Sequence, residues 1–479
     1  MSIDGIAYRP DASSSELWRK MDADGDGCVT AQEYRQAPLP RYVADQVIAS
    51  FLTQADLSEA GTKKFLEEIG DRAPGLYRSL RIFSLPTAKI PQAAESSALP
   101  PSGLEVIPDN EGRITHLLVT LDERKRYAPF YSSFLDLVKK RPEVDFTVMV
   151  SEAQKEDFRR MMERDLTQEQ RKNIHLMETH FISGEVPHAW PQDPIQIARD
   201  SKGGTHVLLP ASRPESRFRD IGFFDLGRAL AENRGWETVS TPFMIDGGNV
   251  IVTSGRIFVG QNDVRKDWTG LLQSLSLKLF YGRKEIVPVG SSKASTPEAH
   301  LDMYLRPLPI NDPSSGKPIA LVGDIRHGRE ILEELPARRK REILTAAGKE
   351  FDEALPHQFI PDGVSPADRT KRLDETAMEL QRQGYSVVRI PYPMLSLAGG
   401  RANLSYTNGL FESYRDAAGR KVLRATIPAY GIPELDRPAR AVYERLGYEV
   451  IQIRGLLPRS VQQGSLRCSV KVIGVSDEI

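Results

Sequence analysis

The sequence predicts an α/β protein with a small helical module at its front. Three observations lead there. From about Ile114, short apolar runs alternate with stretches of helical periodicity, the pattern of strands joined through helices. Between Leu85 and Pro108 the chain carries Pro86, Pro91, Pro100, Pro101 and Pro108 among Ala and Ser, which cannot hold a helix interior and marks a boundary. Ahead of that break, the chain to about Arg72 reads as helices around an acidic loop. The expected division is a helical module over 1–72, a Pro-rich linker over 73–112 and an α/β domain over 113–479.

In the module, Ser13 to Glu16 can start a helix running through Leu17, Trp18 and Met21. Thr30 to Arg35 and Thr62 to Ile69 carry further helical patterns. In the main domain, His116 to Leu121, Phe146 to Val150, Thr205 to Leu209, Val250 to Gly260, Ile319 to Gly323, Ser386 to Ile390 and Tyr448 to Ile453 read as strands. Tyr131 to Lys140, Trp268 to Phe280, Asp368 to Gln383 and Arg437 to Leu446 read as helices between them. The copies are too weak for periodicity alone to establish a repeat. The pairs at Gly203, Gly247 and Gly399 read as turns, and no nucleotide-binding glycine fingerprint occurs.

Composition excludes several classes. The 479 residues hold 64 Lys+Arg against 65 Asp+Glu, a net charge of −1. That balance gives no support to binding of nucleic acid or of an anionic membrane. Two cysteines, Cys28 and Cys468, exclude a disulfide scaffold and suit a reducing interior, so a cytoplasmic location is expected. No apolar run reaches the ~18–20 residues of a membrane span, and Met1 to Trp18 lacks the apolar core of a secretory signal.

Residues 22–33 match the twelve-residue EF-hand loop at its liganding positions. Asp22, Asp24 and Asp26 supply side-chain oxygens, and Gly27 permits the sharp turn. Cys28 offers its carbonyl, Thr30 stands where ligation often passes through water, and Glu33 is the bidentate ligand. Calcium is therefore the expected cofactor. Its expected role is structural or in docking a protein partner through the module, rather than direct catalytic control. Residues 46–70 lack the full ligand set for a second loop.

Three clusters in the main domain carry chemistry. Trp190-Pro191-Gln192-Asp193 sets an acid beside a large aromatic. His300-Leu301-Asp302, read as extended, points both polar side chains to one face. Gly464-Ser465-Leu466-Arg467-Cys468 brings a thiol near the C-terminus. Ile245-Asp246-Gly247-Gly248-Asn249-Val250 and Ser405-Tyr406-Thr407-Asn408-Gly409 stand between them.

In this order, across residues 113–475, these stretches resemble the guanidine-modifying (pentein) superfamily of peptidylarginine, agmatine and arginine deiminases and the amidinotransferases. The resemblance implies a five-bladed α/β propeller around a polar cavity. It also implies that Asp193 and Asp302 hold a planar guanidinium by paired N–H bonds. Cys468 would be the nucleophile on the guanidinium carbon and His300 the acid and base around a thiouronium intermediate. Trp190, Gln192, Asn249 and Arg467 carry over as substrate-binding positions.

At Arg467 the chain departs from the His usual in agmatine and peptidylarginine deiminases; an adjacent cation is expected to lower the Cys468 thiol. Gln192 leans toward protein-bound arginine as the substrate, whereas Ser405-Tyr406 leans toward agmatine. Transfer of the amidino group to an amine is the alternative within the family. A calcium-responsive binding protein without turnover is the alternative outside it.

Overall fold

The structure is a computed structural model that describes residues 5–7, 23, 28–36, 103–121, 130–151, 154–179, 190–209, 221–241, 246–260, 280–282, 284–290, 300–354, 366–397, 400–461 and 464–476. The chain divides into two compact units. One comprises Met1–Pro101, Ala211–Arg219 and Val239–Met244; the other comprises Ser102–Pro210, Asp220–Thr238 and Ile245–Ile479.

In the first unit, the strand Cys28–Thr30 pairs antiparallel with Gly5–Ala7 and leads into the helix Ala31–Gln36. The strand covers positions 7 to 9 of the EF-hand match, and Glu33 Oε1 accepts the Ala23 backbone N–H at 2.9 Å. Asp22, Asp24 and Asp26, and the helices expected over 13–21 and 62–69, lie outside the described residues.

The second unit contains a structural repeat that sequence periodicity was too weak to reveal: an antiparallel strand pair, then helix, then a strand parallel to the pair's second member. Leu305–Asn311 and Pro318–Asp324 form such a pair, three helices follow, and Ser386–Pro391 returns parallel to Pro318–Asp324. Leu410–Arg415, Lys421–Pro428, the helix Pro433–Arg445 and Glu449–Ile453 repeat it. Val250–Val252, Arg256–Gly260 and Glu285–Val289 form a third sheet of the same sense. In a fourth, the C-terminal strand Val470–Ser476 supplies the antiparallel partner of Arg113–Thr120. Asp145–Ser151 and Ile174–Thr179 continue that sheet in parallel. A fifth is built on Glu105–Val106, Gln196–Arg199 and Thr205–Leu209.

The parallel strands read as unbroken apolar runs because helices cover them; Leu117, Leu118 and Val119 are all fully buried, as are Ala320, Leu321 and Val322. The helix Tyr131–Lys140 shows the other half of that packing. Phe134, Leu137 and Val138 share its inner face, and Phe134 meets Phe146 edge-on with ring centroids 5.7 Å apart.

Three local expectations change. Val250 to Gly260 is a hairpin rather than one strand, because Thr253 to Gly255 turn the chain. His300 alone is extended; residues 301–303 wind into a 3₁₀ turn closed by Tyr304 N–H on the Leu301 carbonyl at 3.0 Å. Glu105–Val106 and Asp109, in the stretch read as linker, are bonded into the second unit. Of the helix expected over 268–280, all but the last residue lies outside the described residues.

Candidate functional site

The residues with candidate chemistry share one structural address. Asp193 lies in the turn before the strand Gln196–Arg199, and Asp246 to Asn249 precede Val250–Val252. His300 and Asp302 precede Leu305–Asn311, Asn408 precedes Leu410–Arg415, and Cys468 precedes Val470–Ser476. Five sheets thus each contribute the turn that feeds one strand. The repeat brings together residues that are remote in sequence.

His300, Asp302 and Cys468 place their ring nitrogen, carboxylate oxygen and sulfur within 4.8 Å of one another. The Cys468 thiol donates to Asp302 Oδ2 at 3.8 Å. Asp193 Oδ1 stands 3.7 Å from His300 Nδ1, and Asp246 Oδ2 stands 3.5 Å from His300 Nε2, so the imidazole lies between two carboxylates. The Asp193 turn is tied to the glycine turn: Gly247 N–H donates to the Asp193 carbonyl at 2.9 Å, and Gln192 Nε2 donates to the Gly247 carbonyl at 3.1 Å. Glycine is required at 248 because a Cβ there would sit 2.3 Å from His300 Nδ1 and 3.1 Å from Asp193 Oδ1.

The electrostatics follow from burial. Asp193 is pushed up to about 7, first by desolvation, then by Asp246 and Asp302, with His300 opposing. Desolvation would lower His300, but Asp193, Asp246 and the Cys468 contact outweigh it and raise the imidazole above its usual range. Burial and the Asp302 carboxylate push the Cys468 thiol up, against the lowering effect of His300.

Arg467 does not play the part expected of it. Its guanidinium donates to Asp302 Oδ2 at 2.7 Å, Asp109 Oδ1 at 2.6 Å, and the Gly247 and Val250 carbonyls at 3.2 Å each. Those bonds commit its guanidinium to two carboxylates and two backbone carbonyls. Burial alone would raise Asp109, but Arg467 and Lys471 hold it below the usual range.

The other expected substrate contacts are also engaged within the protein. The Gln192 side chain supports the glycine turn, as above. Asn249 is fully buried, and its carboxamide lies against Gly260, where a Cβ would come within 2.0 Å of Oδ1. Trp190 keeps a half-buried ring, with the Arg459 guanidinium 4.7 Å from its centroid. Gly464 lies against the ring edge, so close that a Cβ there would meet it at 2.4 Å.

Three residues escaped the sequence analysis. Asp246 adjoins the glycine pair, Asn408 lies inside the Ser405 to Gly409 stretch, and Asp109 sits in the Pro-rich segment with no local signal. Asn408 Nδ2 donates to Cys468 Sγ at 3.1 Å. A thiol, an imidazole and a carboxylate also form a donor set suited to a soft divalent cation. Here Asp302 Oδ2 already accepts from Arg467, and Cys468 Sγ from Asn408.

The arrangement can polarise and hold a planar cation. Asp193 Oδ1 and Asp302 Oδ1 are buried and accept no hydrogen bond from any described protein group. An N–H-rich cation would satisfy both beside a thiol and an imidazole.

No family model matches the chain, and no curated protein does. Solved structures do. The agmatine deiminase of C. jejuni with substrate bound is 15% identical, covering 78% of this chain and 97% of its own, with a TM-score of 0.52. The agmatine deiminase of Enterococcus faecalis is 12% identical over 77% of this chain and 95% of its own, with a TM-score of 0.51. A provisionally assigned peptidyl-arginine deiminase is 12% identical over 78% of this chain and all of its own, with a TM-score of 0.52. The chain shares the α/β fold of these guanidine-modifying enzymes.

Proposed function

We propose that the protein is a hydrolase that deiminates a guanidinium group through Cys468. The observation that carries this reading is the pair of buried carboxylate oxygens near the thiol, Asp193 Oδ1 and Asp302 Oδ1, that accept no hydrogen bond from any described protein group. A guanidinium offers them paired donors, and its positive charge favours loss of the Cys468 thiol proton to solvent, which leaves a thiolate. Sulfur then attacks the guanidinium carbon, and His300 gives a proton to the departing ammonia. A thiouronium remains on Cys468. His300, held between Asp193 and Asp246, takes a proton from water, which attacks the same carbon and releases the ureido product and the thiol.

Several finer features belong to the same proposal. The five sheets form the five-bladed propeller that the resemblance implies. Protein-bound arginine is the favoured substrate, on the likeness of the Trp190 to Asp193 stretch to the peptidylarginine deiminases rather than on any contact of the Gln192 side chain. The two carboxylates read only the guanidinium head. The EF-hand loop binds calcium through Asp22, Asp24, Asp26, the Cys28 carbonyl, Thr30 and Glu33, and the module can dock a protein partner. The working compartment is a reducing one. Among the described residues, no helix is long and apolar enough to cross a membrane.

The test is to incubate the full chain with agmatine, free arginine and an arginine peptide, with and without calcium, and to assay ureido product and ammonia. Equal amounts of the two from one substrate, absent with Cys468→Ala, are expected. No ureido product from any of the three would overturn the reading.

A further inference from the structure

The sheet formed by Leu410–Arg415, Lys421–Pro428 and Glu449–Ile453 contributes none of the groups used in the proposed reaction. Its leading turn nevertheless reaches the same centre. Asn408 is fully buried there, and its side chain spans the nucleophile residue. Oδ1 accepts the Cys468 backbone N–H at 3.3 Å, and Nδ2 donates to Sγ at 3.1 Å. The amide cannot be reversed, since a flip would set its NH₂ against the Cys468 N–H and its oxygen against the sulfur. The Asn408 carbonyl also accepts Arg467 N–H at 3.3 Å.

The turn that carries Asn408 is held from several sides. Ser405 Oγ accepts the Asn408 N–H at 3.2 Å. Tyr430 donates its hydroxyl to the Ser405 carbonyl at 2.9 Å and meets Ser465 Oγ at 2.8 Å, in the turn that bears Cys468. Tyr443 donates to the Tyr406 carbonyl at 2.8 Å, and Thr407 Oγ1 donates to the Asp302 carbonyl at 3.0 Å. A side chain held this firmly, with one donor on a sulfur, is placed to act on that sulfur.

We propose that Asn408 is a catalytic residue of this centre, whose carboxamide N–H stabilises the Cys468 thiolate and aims it at the guanidinium carbon. The assignment rests on the proposed deiminase reading for the identity of the electrophile. The chemistry suits the surroundings. A neutral donor favours the thiolate without adding positive charge, so it does not repel the cationic substrate as a lysine would. Through its second bond, to the Cys468 N–H, it fixes the direction of the Cα–Cβ bond that carries the sulfur.

The experiment titrates the thiolate by its ultraviolet absorbance in the full-length chain carrying Cys28→Ala, with the Cys468→Ala variant as blank. Asn408→Ala is expected to move the Cys468 inflection up by about one to two pH units, the value of one hydrogen bond to a charged group. Asn408→Asp keeps an oxygen for the Cys468 N–H and replaces the donor with a carboxylate. It is expected to move the inflection further up than Asn408→Ala does. Circular dichroism reports the fold of each variant, and the Asp variant carries the test if the Ala variant fails to fold. Inflections unchanged from the parent would overturn the assignment. Because the titration needs no turnover, it stands or falls separately from the substrate assays that test the deiminase reading.

Discussion

Arg467 and Asp302 form an ion pair at 2.7 Å in which neither side chain is more than 3% exposed. A charged pair so buried is tolerable only when its remaining hydrogen-bonding capacity is met, and Asp109 and two backbone carbonyls meet it for the arginine. The pair also fixes which oxygen of Asp302 is left for a ligand. Arg467 holds Oδ2, so Oδ1 is the oxygen that can accept from a substrate.

Removing that arginine should therefore cost stability first. Arg467→Ala strands Asp302 and Asp109 without their shared cation and should destabilise the protein by about 3–5 kcal/mol. Denaturant unfolding measures it. A variant as stable as the parent would show that the two carboxylates find other partners.

Cys468→Ala should reduce turnover below detection with the fold intact, and Cys28→Ala should leave it nearly unchanged. Position 7 of a calcium loop uses only its backbone carbonyl. Single-turnover assays on both variants decide this, and substantial activity without Cys468 refutes a covalent route.

Gly248→Ala should act on the chemistry without unfolding the protein. Its methyl group would lie 2.3 Å from His300 Nδ1, so the imidazole must move off the line between Asp193 and Asp246. Misplacement of about 1 Å typically costs ~10²-fold in rate. A fall of that order in kcat/KM at a preserved melting temperature is the expected result.

The pH profile should carry an acid limb from Asp193. Its carboxyl is pushed up to about 7, and only the ionised form accepts paired N–H bonds. Hence kcat/KM should rise with pH through that region, and Asp193→Asn should abolish the limb along with most of the substrate affinity. The same shift has a stability consequence of opposite sense. The native state holds a proton between the usual carboxylate range and about 7 that the unfolded chain lacks, so ionising Asp193 withdraws stability as pH rises through the folded value. A guanidinium restores it, and thermal melting with and without substrate analogue reports the difference.

Calcium is expected to bind the module without governing catalysis. Asp22→Ala with Glu33→Ala should abolish calcium binding by titration calorimetry while turnover on a small guanidine persists. Turnover that collapses with the binding would assign the ion a catalytic role instead.

The alternation of strand and helix was legible because both patterns are local. Buried parallel strands read as apolar runs, and the 131–140 helix keeps its inner face at helical spacing. His300, Asp302, Asp193 and Cys468 were legible as residue types in a recognisable order, and the structure gathers them. Their environment was not legible. Asp109 lies 358 residues from the Arg467 it pairs with, in a Pro-rich stretch whose composition signals only a break.

Local propensity thus determined the elements, and the resemblance carried by the ordered motifs named the candidate nucleophile, acid and carboxylates. The tertiary structure alone decided the partners. It turned Arg467 from an expected substrate contact into a counter-ion, set Gln192 under a glycine turn, and enclosed His300 between Asp193 and Asp246. It also brought the Asn408 amide to the sulfur. The physical reason is range. Periodicity acts over a few residues, whereas burial and Coulomb interaction depend on which distant turns the five sheets carry to one place.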